Sequence, residues 1–400
     1  MRRTLFVLFL IVCLTTWQTG GWAAGREWSA EEKLAKLTKP SIVRVYSFYY
    51  TTWQIGQVQI PTYYGGAGSG AFINPDGYIV TNAHVVDSYQ HDDKKRWQNL
   101  AVKLVDILVK KYGLNPDSAV ALITSGAARS GKVQKVNVVI TPGGEELPFD
   151  LKEIGSPSFE KDGKDVAVIK VEGRNFPTVR LGDSDKVRTG ERVFVAGYPG
   201  AADLGTYGSQ KSDLEWSWAP GSVSSDKKST AQGAPLIQVN AEGVKPGNSG
   251  GPVMNSGGQV VGLLTFGTIG GPHWAMASRT VMEFVRKAGT TNDEGLVDKA
   301  YREGLDFYWQ GYYAKALTKF EEVKRLYAKH SEAESLIADC QDNIGKGHDR
   351  RYWPDYYAHL AAAALLLTAC IALAVYLWKK RQAARQAAQA DRTYGGPDTP

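Results

Sequence analysis

Cysteine is scarce, with 3 in 400 residues. Cys13 and Cys370 lie in apolar segments at opposite ends, which leaves Cys340 alone between them. A disulfide framework in the intervening region is therefore excluded, and a chain this long can build a core without one. Neither sign of charge dominates. The formal net charge is +6, and part of the basic excess sits at the two ends, in Arg2, Arg3, Lys379, Lys380 and Arg381. No basic stripe interleaved with aromatics occurs, which argues against nucleic acid as a partner. No His/Cys/Asp cluster has metal-ligand spacing, so neither a metal nor another cofactor is expected.

Long apolar runs are limited to the two ends. The N-terminus reads "MRRTLFVLFLIVCLTTWQTGGWAAG": two arginines, an apolar run from Leu5 to Leu14, then small residues. That layout predicts a signal peptide over 1–24, followed by an N-terminal segment over 25–39. The second run, "AHLAAAALLLTACIALAVYLW", predicts a transmembrane helix over 358–378. Tyr356, Tyr357, Tyr376 and Trp378 fall where interfacial aromatics belong, and "KKRQAAR" follows directly. The positive-inside rule then places the tail, 379–400, in the cytoplasm and the bulk of the chain on the extracytoplasmic side.

Between the ends, residues 40–289 are rich in short alternating or apolar runs: "SIVRVYSFYY", "YIVT", "VQKVNVVIT", "DVAVIKV", "RVFVAGY", "QVVGLLTF". Turn signals such as "PDG", "PGG" and "NSGG" separate them, the pattern of an all-β barrel or sandwich. One stretch departs from it. Leu100, Leu104, Ile107 and Leu108 share a helical face, and Asn115-Pro116-Asp117 reads as a break and a fresh helix start. A helical insertion over about 93–130 is expected. Residues 293–346 change to helix throughout. Gly304, Phe307, Ala316 and Phe320 match the spacing of a tetratricopeptide repeat, a hairpin of about 34 residues. Ala328 stands where that repeat usually has proline. One repeat cannot form a deep groove, so the hairpin is either packed support or a protein-partner site.

The stretch "KPGNSGGPV" carries the chemistry. A serine hydroxyl is a weak nucleophile and needs a base, usually histidine. The histidine needs a buried acid to fix its tautomer, and the developing oxyanion needs backbone N–H donors. "GYIVTNAHVV" places His84 at the end of a predicted strand. His91, His330, His348 and His359 sit in polar, helical or membrane-edge contexts, and His273 is the other candidate in the β-rich region. "KDGKDVAVIKV" offers Asp162 and Asp165; Asp165 directly precedes an apolar strand and can turn inward. Gly247, free of a Cβ, can turn its N–H toward the same point as that of Ser249. The predicted set is thus His84 as base, Asp165 as orienting acid, Ser249 as nucleophile, and Gly247 with Ser249 as the oxyanion hole. The order His, Asp, Ser is that of chymotrypsin-type barrels rather than of α/β hydrolases or subtilisins.

"GSGAFINPDGYIVTNAHVV", "KDVAVIKV", "RVFVAGYPG" and "KPGNSGGPVMNSGGQVVGLLTF" resemble the trypsin-like peptidase domain of HtrA-type serine proteases. The resemblance implies a mainly-β fold of two six-stranded barrels with the active site in the cleft between them. It implies the same triad and oxyanion hole, and a primary substrate pocket floored near Gly243 with walls from Leu264, Thr265 and Phe266. No charge is evident at those positions, although Glu242 is adjacent, so a small or apolar side chain before the scissile bond is expected. HtrA proteases usually continue into a PDZ domain; here the helical hairpin and the apolar run follow instead. The expected function is a membrane-anchored serine endopeptidase acting on extracytoplasmic proteins or peptides. The alternatives are an idle pseudoprotease that presents the barrel and hairpin to a protein partner, and an esterase.

Overall fold

The computed structural model describes residues 27–156, 161–199, 216–267, 271–350 and 352–394. The expected signal peptide lies outside them. The described residues fall into two units, divided between Lys346 and Gly347.

The first barrel is built from β1 (Ile42–Ile55), β2 (Val58–Phe72), β3 (Tyr78–Thr81), β5 (Gln134–Ile140), β6 (Glu146–Ile154) and β7 (Ala167–Val171). They pair in the order β2-β3-β7-β6-β5-β1, and β1 closes the ring on β2. A short β4 (Ala128–Ser130) lies against the far end of β1. The second barrel takes β9 (Arg192–Gly197), β10 (Ser217–Ser229), β11 (Pro235–Ala241), β12 (Pro252–Asn255), β13 (Gln259–Gly267) and β14 (His273–Ala277). Its order is β12-β9-β10-β11-β14-β13, closed by β12 on β13, with β8 (Arg180–Leu181) added in parallel to β13. Every other pairing is antiparallel, so two closed six-stranded barrels form and no long edge is left open.

The strands read as near-continuous apolar runs because both of their faces are covered. On β7, Ala167, Ile169 and Val171 fill the first barrel with Val43, Val45, Phe72 and Ile79. Val166 and Val168 point the other way, into the layer between the barrels, where they meet Ala196, Leu236, Met254, Leu263 and Phe284. The second barrel has its own interior of Val193, Val195, Ile237, Val239, Val253 and Val261. Burying an aliphatic side chain of this kind contributes about 1.5–3 kcal/mol.

The insertion forms two helices. Counting after α1 (Ala30–Thr38) and the short α2 (Ala83–Val86), these are α3 (Asp93–Tyr112) and α4 (Pro116–Thr124). Gly113 ends α3 in the left-handed conformation at φ 70°, and the Asn115 side chain caps α4 by accepting from the Ser118 N–H at 2.7 Å. Leu100, Leu104 and Leu108 of α3 pack on Tyr49, Trp53 and Ile60 of the β1–β2 hairpin, so this face of the insertion is covered by the barrel.

After α5 (Ser278–Lys287) come α6 (Leu296–Trp309), α7 (Tyr313–Leu326) and α8 (Ala333–Gly345). α6 and α7 approach closely at Gly304, where an added Cβ would lie 2.6 Å from the Phe320 ring. These helices dock on the barrels. The Asp298 carboxylate accepts from the Thr178 N–H at 2.7 Å and the Thr178 hydroxyl at 2.9 Å, the Tyr327 hydroxyl donates to Glu145, and Asn175 donates to the Leu326 carbonyl at 3.2 Å. In the second unit α9 (Trp353–Tyr394) contains a candidate span, Leu360–Gln389, whose most apolar 18-residue window has mean hydropathy 2.5, long and apolar enough to cross a bilayer.

Candidate active site

His84 sits on α2, one turn of helix directly after β3, so the edge of the first barrel aims it at the groove. Asp165 lies two residues before β7, the neighbour of β3, with Thr81 opposite Ala167. The ends of two paired strands thus bring base and acid together. His84 Nδ1 lies 2.7 Å from Asp165 Oδ2, and the His84 backbone N–H donates to Oδ1 at 2.9 Å. The Thr265 hydroxyl, from β13 of the second barrel, also donates to Oδ2. Asn82 Nδ2 donates to the Asp165 carbonyl at 2.8 Å and holds its backbone. Asp165 is 4% exposed, and three donors satisfy its buried carboxylate. The Asp165 contact fixes the proton of His84 on Nδ1 and leaves Nε2 to accept one.

Ser249 lies in the loop between β11 and β12. Asn248 is fully buried; its N–H donates to the Lys245 carbonyl at 3.1 Å, and its own carbonyl accepts from Gly251 at 2.9 Å. Gly250, at φ 82°, could carry no side chain, because a Cβ would stand 2.2 Å from the Ser69 carbonyl. The first barrel holds this loop directly. The Ser69 N–H donates to the Ser249 carbonyl at 2.7 Å, and the Ser69 hydroxyl donates to the Gly247 carbonyl at 2.8 Å. The same hydroxyl accepts from the Tyr198 N–H at 2.8 Å. Gly247 adopts φ 102°, and among the described residues no acceptor engages its N–H or that of Ser249.

The Ser249 hydroxyl donates to the Thr265 carbonyl at 3.3 Å rather than to His84.

A cavity of about 260 Å³ opens beside Ser249. Leu264, Thr265 and Phe266 line it; Gly243 does not, and stands instead in an exposed turn at φ 86°. Two residues that sequence reasoning did not place there, Lys245 and His273, also line the cavity. The expected absence of charge at this pocket therefore does not describe its whole lining. Burial holds the His273 pKa below the usual imidazole range. Trp216 and Trp218 pack together with ring centroids 5.3 Å apart, and Trp218 stacks on Phe194. The sequence also gave no role to Ser69 or Asn82, although the flanking glycines in "GSGAF" mark a close backbone approach.

Two closed six-stranded barrels, with His84 and Asp165 on the first and Ser249 on a loop of the second, make a chymotrypsin-like fold. Residues 68–263 match the family described as trypsin-like peptidase domain. The chain is similar to a "probable periplasmic serine endoprotease DegP-like" of Pseudomonas savastanoi pv. phaseolicola, 29% identical over 198 residues, which is 49% of this chain and 28% of the relative. A protein of the same description from Halomonas elongata is 30% identical over 198 residues, 49% of this chain and 28% of the relative. The "putative serine protease HhoB" of Synechocystis is 28% identical over 206 residues, 50% of this chain and 34% of the relative. The matches thus span about a third or less of these relatives' lengths.

Proposed function

We propose that this chain is a serine endopeptidase of the HtrA type, anchored in a membrane through α9, whose barrels face the extracytoplasmic side and cleave proteins or peptides there. The observation that carries this reading is the joint positioning of the three side chains. The first barrel supplies the acid–base pair, Thr265 of the second donates to its acid, and the first barrel clamps the loop that carries Ser249.

The chemistry follows from that placement. Ser249 turns from the Thr265 carbonyl toward His84, whose Nε2 takes the hydroxyl proton as Oγ attacks a substrate carbonyl. Asp165 stabilises the imidazolium that forms. The N–H groups of Gly247 and Ser249 receive the oxyanion. His84 returns the proton to the leaving amine, and water then releases the acyl group by the same route. An extended peptide suits the groove between the barrels, which favours amide over ester substrates. The bilayer-length stretch Leu360–Gln389 and the periplasmic description of the DegP-like relatives support the anchored, extracytoplasmic reading. The basic "KKR" after residue 378 favours a cytoplasmic tail.

The test is covalent labelling of the full chain in mild detergent with a fluorophosphonate probe, beside Ser249→Ala and His84→Ala. Labelling of wild type alone is expected. Failure of folded wild-type protein to label would favour the idle-barrel reading. Cleavage of a fusion reporter placed before or after the apolar helix checks orientation.

A further inference from the structure

The cavity beside Ser249 is where the side chain on the acyl side of the scissile bond must go, because the attacked carbonyl belongs to that residue. Its wall is made by the end of β13, and the end of β14 lies alongside. His273 pairs with Gly267 in that ladder. Glycine at 267 is what gives the imidazole its place: a Cβ there would stand 2.3 Å from His273 Nδ1. Among the described residues the His273 ring has no hydrogen-bond partner, although it is half-buried. Lys245, which also lines the cavity, has no ion pair among the described residues either, and no acidic side chain lines it. Thr265 cannot serve a ligand in the same way, since its hydroxyl donates to Asp165. Every titratable side chain that lines the cavity is therefore a donor or a cation.

Resting on the peptidase reading above, we propose that His273 and Lys245 make this cavity a site for an acidic side chain, so that the enzyme cleaves after glutamate or aspartate. A carboxylate brings two acceptor oxygens, enough to take an N–H from the imidazole and still face the ammonium. An apolar side chain would exclude water from the imidazole and leave its N–H unpaired, which a site built to hydrogen-bond its substrate strongly disfavours. His273 sits on a strand and supplies the specific contact. Lys245 is exposed on a loop, so its part is a screened attraction. Burial lowers the proton affinity of His273 in the free protein, and a bound carboxylate would restore it.

The experiment uses the full chain in detergent and quenched fluorescent peptides that differ only in the residue before the scissile bond: Glu, Asp, Gln, Ala or Val. The Glu peptide is expected to exceed its isosteric Gln counterpart by about tenfold or more in kcat/KM. His273→Ala is expected to lower the Glu-to-Ala ratio by about tenfold, and Lys245→Gln to lower it less and only at low salt. Preference for Ala or Val, unchanged by His273→Ala in protein that still labels with fluorophosphonate, overturns the proposal and leaves the peptidase reading intact. Absence of both labelling and cleavage in wild type overturns both. If His273→Ala fails to fold, the wild-type Glu-to-Gln ratio decides alone, and a value near one overturns the proposal.

Discussion

The hydroxyl of Ser69 on the first barrel donates to the carbonyl of Gly247 in the nucleophile loop of the second, at 2.8 Å, while accepting from the Tyr198 N–H. One small side chain therefore couples the two barrels at the point where the oxyanion donors must be aligned. Ser69→Ala would leave a buried N–H and a carbonyl unpaired, at about 1–3 kcal/mol for each group. The expected result is a fluorophosphonate labelling rate at least tenfold lower, with the protein still folded by circular dichroism. An unchanged labelling rate would remove Ser69 from the positioning of the loop.

Thr265 and Asp165 form the second coupling. Thr265→Val keeps the shape of the side chain and deletes its donor to the carboxylate. Asp165→Asn deletes the charge and disturbs the histidine tautomer. A decrease of about 10⁴-fold in kcat is expected for Asp165→Asn. A smaller decrease, about tenfold, is expected for Thr265→Val, with both measured on one peptide substrate. Equal effects would mean that the hydroxyl, not the charge, governs His84.

The helical region offers a test of packing. At Gly304 a Cβ would stand 2.6 Å from the Phe320 ring and 3.2 Å from the Lys319 Cβ, so Gly304→Val forces α6 and α7 apart. Overpacking of this kind costs about 1–3 kcal/mol. Thermal unfolding should show the loss, and hydrogen exchange should rise across α6 and α7. Because Asp298 of α6 holds the Thr178 segment, exchange near residue 178 should rise with it.

His330 gives the chain an acid-sensitive element. It is buried beside Tyr301, ring centroids 4.4 Å apart, and burial outweighs the nearby Glu332 to push its pKa down from the ordinary 6.5 to about 4. The unfolded chain therefore binds a proton between those values that the folded chain refuses. Stability from this group is full above the unfolded pKa and is lost as pH falls from 6.5 toward 4, by on the order of 3 kcal/mol. His330→Gln should flatten the pH dependence of the urea midpoint between pH 7 and 4.5. A wild-type midpoint that does not fall in that window would contradict the assignment.

The relation of these residues to the sequence is uneven for a physical reason. His84, Asp165 and Ser249 stand beside short-range signals: the end of a strand, the start of one, a run of glycines. Each signal is complete within about ten residues, and the order of the three along the chain adds a constraint. The pocket depends on register. Which residues of β14 face the cavity is set by its pairing with β13, and that pairing is interrupted by an irregularity between Leu264 and Phe266. One residue of slip sends a side chain to the opposite face. His273 was therefore visible as a histidine in a β-rich stretch but not as a lining residue, while Gly243 was adjacent in sequence and yet turned outward. Ser69 depends on contact between barrels, which no local pattern encodes.

Strand β7 is buried on both sides, and Asp165 is the residue that leads into it. A strand gripped by two cores has almost no latitude, so the acid is fixed by the same atoms that make the molecule fold. His273 begins its strand at the open end of the second barrel. On the proposed reading, the acid and the substrate contact thus come from strands of different burial, β7 buried almost throughout and β14 half-exposed at its start. A designer wishing to re-cut the substrate preference should work at the end of β14 and leave β7 alone, since changes at 273 reshape what enters without moving what reacts.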